Sequence, residues 1–436
     1  MRAMKDSGIE WIGSIPEHWE VKRLKNVADL NPTFNAQIEQ DTLVAYMPME
    51  CLRNGIIQER IAPYSEVASY TPFKDDDVVM AKVTPCFENG NIAVATNLQG
   101  GYGFGTSEIF VIRCGKEAHN KYAFYYLQSA YIKNLGVSSM TGTGGLKRVN
   151  PTILNNSYFL SPSVAEQQAI ADYLDEKCAE VDEMIGLQEQ IIEELKAYKQ
   201  SVITEAVTKG LNPAAPMRDS GIEWIGSIPE HWELKPLKFN FKRRSERNNP
   251  IVTTERLSLS IDKGVTLYSE KTTNLDRFKE DFTQYQIAHP NDIVLNCMNM
   301  IVGAVGLSKY LGCVSPVYYV IYPSNSKIDS EYYSYLLNTP TVRGVYYSYG
   351  KGIYAIERGE GRVNTCRLKV SYDDFGRFNI PIPPIEEQKN IVSYIKEKCA
   401  DVDSLIQTKL SKIDSLKEYK KSIIYEYVTG KREVTE

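Results

Sequence analysis

The sequence predicts a mixed α/β chain made by tandem duplication, in which two α/β regions alternate with two long helices. Three observations predict it. A short element occurs twice, as DSGIEWIGSIPEHWEVKRL from Asp6 to Leu24 and as DSGIEWIGSIPEHWELKPL from Asp219 to Leu237, differing only at Val21/Leu234 and Arg23/Pro236. A longer element recurs 221 residues on: AEQQAIADYLDEKCAEVDEMI from Ala165 matches EEQKNIVSYIKEKCADVDSLI from Glu386, and LKAYKQSVITEAVT from Leu195 matches LKEYKKSIIYEYVT from Leu416. Between the repeats, the pattern changes to short apolar runs bounded by Gly, Pro and Asn, the signature of strands.

At 436 residues the chain is too long for one core at roughly 100–200 residues per domain. The repeat places a first α/β region at 1–162, a first long helix at 163–210, a second α/β region at 211–383, a second long helix at 384–430 and a short tail at 431–436. The short elements are 213 residues apart and the long ones 221, so the intervening stretches have absorbed eight residues and diverged.

In the first α/β region, Asp77 to Met80, Ile92 to Ala95 and Ile109 to Ile112 read as strands and Lys121 to Lys133 as a helix; in the second, Ile293 to Leu295 and Val317 to Ile321 read as strands and Ser330 to Leu337 as a helix. The first long helix opens at Ser163-Val-Ala-Glu166, the spacing of a capping box in which Glu reaches back to the cap. Pro383-Pro384 suits the first turn of the second. Apolar positions follow at helical spacing: Val181, Ile185, Ile192, Leu195, Tyr198 and Val202 in one copy, Val402, Ile406, Ile413, Leu416, Tyr419 and Ile423 in the other. A helix from 164 to 208 would be about 68 Å long, so it needs a partner, and the second copy supplies one. Gly210 and Gly430 follow the last periodic residues as stop signals.

Composition excludes several classes. Fifty Lys plus Arg against 55 Asp plus Glu leave a net charge of −5, so a basic surface for nucleic acid must be local. Residues 164–200 alone carry ten acidic and three basic side chains, which argues against the first long helix lying along DNA. No apolar run approaches the roughly 20 residues that span a bilayer, and the start lacks the apolar core of a signal peptide; a cytoplasmic protein with no membrane partner is expected. The eight cysteines are scattered without Cys-x-x-Cys spacing, so neither a zinc site nor a disulfide framework is indicated.

Both α/β regions end in a Gly-rich, basic passage just before the long helix. The first holds Lys147 and Arg148 after Thr141-Gly-Thr-Gly-Gly; the second holds Lys351, Arg358 and Arg362 among four glycines. Glycines let backbone approach a phosphate, while Lys and Arg pair with phosphates or reach base edges. These five residues are the candidate DNA contacts. The run Lys242-Arg243-Arg244-Ser-Glu-Arg247 fits a DNA-facing edge or a solvated loop. The chain has 29 tyrosines, with pairs at Tyr318-Tyr319, Tyr332-Tyr333 and Tyr346-Tyr347, and they suit packing more than phosphate contact.

Catalytic chemistry is not evident. His18 and His231 are repeat equivalents within Pro-Glu-His-Trp, where a structural role is expected, with Trp11, Trp19, Trp224 and Trp232 as anchors. Asn31-Pro-Thr-Phe34 resembles an adenine-methyltransferase signature and Gly101 to Gly105 a cofactor loop, but neither recurs in the other half. Asp75-Asp76-Asp77 with Lys82 reads as a turn before a strand and not as a nuclease cluster. No metal ligand set and no catalytic residue is assigned.

Taken together, the Gly-Ile-Glu-Trp-Ile-Gly-Ser-Ile-Pro-Glu-His-Trp element, the Glu-Gln-Gln and Glu-Gln-Lys helix starts and the two unlike regions resemble the specificity (S) subunit of type I restriction-modification enzymes. The resemblance implies two target-recognition domains separated by two long helices paired as an antiparallel coiled coil, each domain reading half of an asymmetric, bipartite site in double-stranded DNA. It implies two methyltransferase (M) and two restriction (R) subunits as partners. It also implies that no cofactor is bound by this chain, S-adenosylmethionine being used by M and ATP with Mg by R. A stand-alone DNA-modifying enzyme and a coiled-coil adaptor without a DNA role remain the alternatives.

Overall fold

The computed structural model describes residues 2–143, 145–271, 281–353, 357–358, 362–363 and 367–434; of 353, 357, 358, 362, 363 and 367 it describes the backbone alone. The chain forms two compact units, one of residues 1–188 with 410–436 and one of residues 189–409. The division falls within the helices, so each unit contains one α/β region and a stretch of both.

In the first unit, Met4–Asp6 pairs antiparallel with Ser14–Pro16, and the chain then enters Glu20–Arg23. That strand pairs antiparallel with Tyr158–Ser161, Val21 opposite Leu160, so one ladder closes the two ends of the α/β region. Inside it, a four-stranded sheet runs in the order Ile92–Val94, Val78–Ala81, Ile109–Cys114, Ala28–Leu30. The two-residue period of its strands serves two cores. Val78, Met80, Phe110 and Ile112 face the helices Asn120–Leu127 and Ala130–Ser138 together with Ile170, Leu174, Ile423 and Tyr427 of the long helices. Val79, Ala81, Ala93 and Val111 face Ala45, Met47 and Phe73 of a second sheet, ordered Arg60–Pro63, Leu43–Met47, Tyr102–Gly105, Thr71–Lys74. The stretch predicted as one helix over 121–133 is two, because Ser129 starts the second by accepting a bond from the Ile132 amide (3.5 Å).

The second unit repeats the plan. Glu233–Pro236 pairs with Asn379–Ile382, and a sheet runs Phe241–Arg243, Tyr318–Pro323, Ile293–Asn296, Val305–Leu307. Ile293, Leu295, Tyr319 and Ile321 join the core beneath the helices Ser330–Leu337 and Pro340–Tyr349, while Val294 and Val320 pack with Leu257, Val265 and Val314. Here the companion sheet is reduced to two antiparallel pairs, Leu257–Ser260 with Gly264–Leu267 and Gln286–Ala288 with Gly312–Val314.

The long helices run Val164–Lys209 and Ile385–Val428. Within the first unit Tyr173 packs on Tyr427, ring centroids 4.4 Å apart, and Lys420 Nζ binds both oxygens of Asp182 at 2.7 and 2.6 Å, so the segments are antiparallel. Within the second, Lys199 Nζ binds both oxygens of Asp403 at 2.7 Å. The two ion pairs are repeat equivalents, each residue 221 positions from its counterpart. Of the predicted seam, Val181, Ile192, Val402, Ile413 and Ile423 are buried, and Ile185, Leu195, Val202, Ile406 and Leu416 are half-buried. Tyr198 and Tyr419 are exposed, at 55% and 52%. Each stands one residue, about 100° of helical turn, before the lysine that pairs with the other helix.

Candidate nucleic-acid interface

Each α/β region is carried on a repeated joint that combines buried tryptophans with internal hydrogen bonds. Trp19 is fully buried and donates its indole N–H to Glu166 Oε1 (2.9 Å), while His18 Nε2 lies 2.8 Å from Glu166 Oε2 and Arg2 Nη1 donates to Oε1 (3.2 Å). In the second unit Trp232 Nε1 donates to Glu387 Oε2 (3.1 Å) and His231 Nε2 lies 2.8 Å from the same oxygen. The expected capping box is therefore half made. Ser163 Oγ accepts from the Glu166 amide (3.2 Å), but the Glu166 carboxylate is held by the tryptophan, histidine and arginine instead of turning back to the cap.

The next residue completes the joint. Gln167 is fully buried, accepts from the His119 amide (2.8 Å) and donates to the Glu117 and Pro162 carbonyls (2.9 and 3.0 Å). Gln388 does the same with the Asp329 amide and the Lys327 and Pro383 carbonyls (2.8, 2.9 and 2.8 Å). Each Glu-Gln pair thus fixes the start of a long helix to the strand and loop before it. The stop glycines meet the same joints at positive φ, +69° for Gly430 and +77° for Gly210. A Cβ on Gly430 would lie 2.4 Å from the Pro16 ring, and one on Gly210 would lie 3.0 Å from Glu387 Oε1. Trp11 stacks on Tyr131 (3.9 Å, 8°) and Trp224 packs on Phe378 (5.9 Å), so all four tryptophans anchor the joint within its own unit.

The basic passage of the first unit is a constrained hairpin. The Thr141 and Arg148 amides donate to each other's carbonyls at 3.1 and 2.9 Å, and Arg148 also bridges Val83. Thr84 Oγ1 donates to the Gly145 carbonyl and accepts from the Lys147 amide (2.9 and 3.0 Å). Gly142 is required there, because a Cβ would come within 2.4 Å of the Leu146 carbonyl oxygen. Lys147 is exposed. Arg148 makes a two-pronged pair with Glu108, Nε to Oε2 and Nη2 to Oε1, both 2.8 Å. The guanidinium holds the Glu108 carboxyl below the usual carboxylate range, with Lys82 adding to the effect. Lys82, Arg148, Thr141, Asn31 and Asn150 surround a hollow of about 330 Å³.

In the second unit, Lys351–Ile353 pairs antiparallel with Arg367–Lys369, so exposed Lys351 stands opposite exposed Lys369. Glu357–Arg358 pairs with Arg362–Val363, Arg358 opposite Arg362 in the backbone register; the side chains of these two, and residues 354–356 and 359–361 between the candidate contacts, lie outside the described residues. Lys351 and Lys369 are like charges directly opposite on a ladder, which disfavours the pair. Sequence reasoning did not place Lys82, Glu108 or Lys369 beside the candidate contacts. Lys369 carries a weak signal, alternating with Arg367 across Leu368, whereas Glu108 is 40 residues from the arginine it serves and carries none.

The rejected motifs are structural. Asp77 is buried, accepts from the Lys74 amide (2.9 Å) and pairs with Arg113 through two bonds of 2.8 and 2.7 Å, closing the turn before its strand. Gly103 and Gly105 belong to a strand, where a Cβ would come within 2.3 Å of the Phe73 ring and 2.5 Å of Ile109. Asn31 Oδ1 accepts from the Val111 amide (3.0 Å). Tyr122, Tyr126, Tyr332 and Tyr333 are buried with their hydroxyls on backbone carbonyls, as packing tyrosines. Among the described residues no cluster of three or more His, Cys, Asp or Glu side chains could hold a metal ion, and no helix is long and apolar enough to cross a membrane.

Comparison with known proteins agrees with this architecture. The family model for the type I restriction modification DNA specificity domain matches the chain twice, over 16–197 and 233–415. The type I restriction enzyme EcoEI specificity subunit of Escherichia coli is 32% identical over 199 residues, 44% of this chain, which spans 33% of that protein's length. The MjaVIII specificity subunit of Methanocaldococcus jannaschii is 24% identical over 451 residues, covering 96% of this chain and 93% of that one. A solved chain from work on complex assembly and conformational transition of the type I R-M system shares the fold, with a TM-score of 0.68 at 16% identity over 95% of this chain and 98% of that one. With both halves matched, the chain belongs to the type I restriction modification DNA specificity family.

Proposed function

We propose that this chain is the DNA sequence-recognition subunit of a type I restriction-modification system, itself without catalytic activity. The observation that carries the reading is the contrast between its joints and its loops. Two joints built on the same Trp, His, Glu and Gln residues present two recognition regions whose basic loops differ in sequence and length. A dimeric reader with identical halves would favour a palindrome; two unlike readers suit an asymmetric, bipartite site in double-stranded DNA. In this reading, 1–162 and 211–383 are the target-recognition domains. The long helices at 163–210 and 384–430 set the gap between half-sites and dock two methyltransferase subunits, with two restriction subunits joining for cleavage. S-adenosylmethionine and ATP with Mg belong to those partners.

Lys147, Arg148, Lys351, Arg358 and Arg362 are the proposed contacts. Replacing all five by alanine in the full chain, assembled with its methyltransferase, should weaken binding to duplex DNA. It should also flatten the salt dependence by about 0.9 for each phosphate that the variant no longer neutralises. Unchanged affinity and slope would remove these loops from the interface. Methylation or nicking by the purified chain alone would favour a stand-alone enzyme, and the absence of any salt-sensitive DNA binding by the assembled complex would favour an adaptor.

A further inference from the structure

The Arg148–Glu108 pair differs from the other two-pronged arginine pairs in the chain in where its free edge points chemically. Arg244 gives Nε and Nη2 to Asp292 (2.6 and 2.9 Å) and Nη1 to Glu246 (3.4 Å), so all three nitrogens are engaged. Arg113 binds Asp77, whose carboxylate is 1% exposed and caps a turn. Arg148 uses only Nε and Nη2. Its Nη1 makes no hydrogen bond among the described residues, and its side chain is 46% exposed on the rim of the hollow beside Lys82. The Nη1–Nη2 edge therefore presents two parallel donors to solvent, the pattern that matches N7 and O6 of guanine in the major groove.

Strand pairing sets Ala81 opposite Ile109, the Lys82 amide donates to the Glu108 carbonyl (2.9 Å), and the Arg148 backbone bridges Val83. Glu108, one residue before the strand Ile109–Cys114, and Arg148, at an isolated bridge to Val83, thus meet at one end of the sheet. Side-on pairing with Glu108 removes most rotamer freedom from a long side chain before any ligand arrives, so less ordering entropy is lost on contact. A carboxylate in this position also repels phosphate, which discourages the same arginine from gripping the backbone of any sequence.

We propose that Glu108 is a positioning residue that aims Arg148 at a guanine base edge, making this pair a specificity determinant at one base pair of the half-site read by the first domain. The inference rests on the DNA-reading function proposed above. The test uses the full chain assembled with its methyltransferase, bound to a pool of duplexes with a randomised block, the bound fraction being sequenced at graded salt for the parent, R148A and E108Q. The parent should select a site that contains a guanine whose preference disappears in R148A, with a loss of about 5- to 150-fold for the guanine-containing site and little change in salt slope. E108Q should keep the fold, bind non-selected duplexes more tightly and favour that guanine less. A uniform loss across sequences in R148A, with the salt slope reduced by about one, would make Arg148 a phosphate contact and overturn the inference. Unchanged selectivity in E108Q would overturn the positioning role. Failure of the parent complex to select any sequence would instead contradict the proposed function itself.

Discussion

The two joints of this chain are copies and the two recognition regions are not, and the contrast shows which constraints duplication leaves in place. At the joints, Trp19, His18, Glu166 and Gln167 correspond to Trp232, His231, Glu387 and Gln388, with the same hydrogen-bond partners in kind. In the recognition regions, the same problem has two answers. Asp77 and Asp292 each stand at the start of a central strand, after a residue at positive φ, Asp76 at +72° and Asn291 at +69°. Asp77 is paired by Arg113 from the neighbouring strand Ile109–Cys114, whereas Asp292 is paired by Arg244, which follows the edge strand Phe241–Arg243. A buried carboxylate needs a cation, but the fold does not dictate which strand supplies it. Sequence is free to change wherever several residues can meet one requirement, and it is fixed where four must meet at once.

Mutations can break or sharpen this comparison. The largest effect should come from Trp19→Ala and Trp232→Ala, each costing about 3–5 kcal/mol by emptying a buried indole site. Equal losses are expected in chemical denaturation, and a large difference would mean that the joints are not equivalent. The stop glycines should separate them. Gly430→Ala meets the Pro16 ring at 2.4 Å, whereas Gly210→Ala meets Glu387 Oε1 at 3.0 Å and the Trp232 ring at 3.2 Å, a less severe overlap. Both substitutions bear the left-handed backbone penalty of about 1–2 kcal/mol. Gly430→Ala adds about 1–3 kcal/mol of overpacking, which the unfolding midpoint of each variant will reveal.

In the recognition regions, Asp77→Asn and Asp292→Asn should each cost about 1–3 kcal/mol, since the abandoned guanidinium is only partly solvated. The expectation is similar losses despite the different arginines. The smallest effect belongs to the helix ion pairs. Asp182→Lys or Lys420→Asp alone should destabilise by less than about 1 kcal/mol, and the double exchange should recover most of it in a double-mutant cycle. Repeating the cycle at Lys199 and Asp403 should give the same coupling within error.

Much of the fold was legible because repeats and periods are local signals. The helix at Ser330–Leu337, both long helices and the strands after Asp77 and Asp292 fall where periodicity puts them. What sequence could not show were bonds made between distant residues. Glu166 has the spacing of a capping box, yet Trp19, 147 positions away, claims its carboxylate. Tyr198 and Tyr419 fit an apolar stripe by hydropathy but stand outside the buried positions, while the adjacent lysines pair across to the other helix. The candidate interface was half legible. Lys147 and Arg148 were visible as a Gly-rich basic loop, whereas Glu108 and Lys82 join them only through strand pairing.

The measurement that tests the central claim most directly is the mapping of N6-methyladenine across the genome of a methylation-deficient strain that expresses this chain with a type I methyltransferase subunit. The account predicts one bipartite motif with two unlike halves and a fixed gap, lost when this chain is omitted. A palindromic or ungapped motif, or the same motif without this chain, would contradict it.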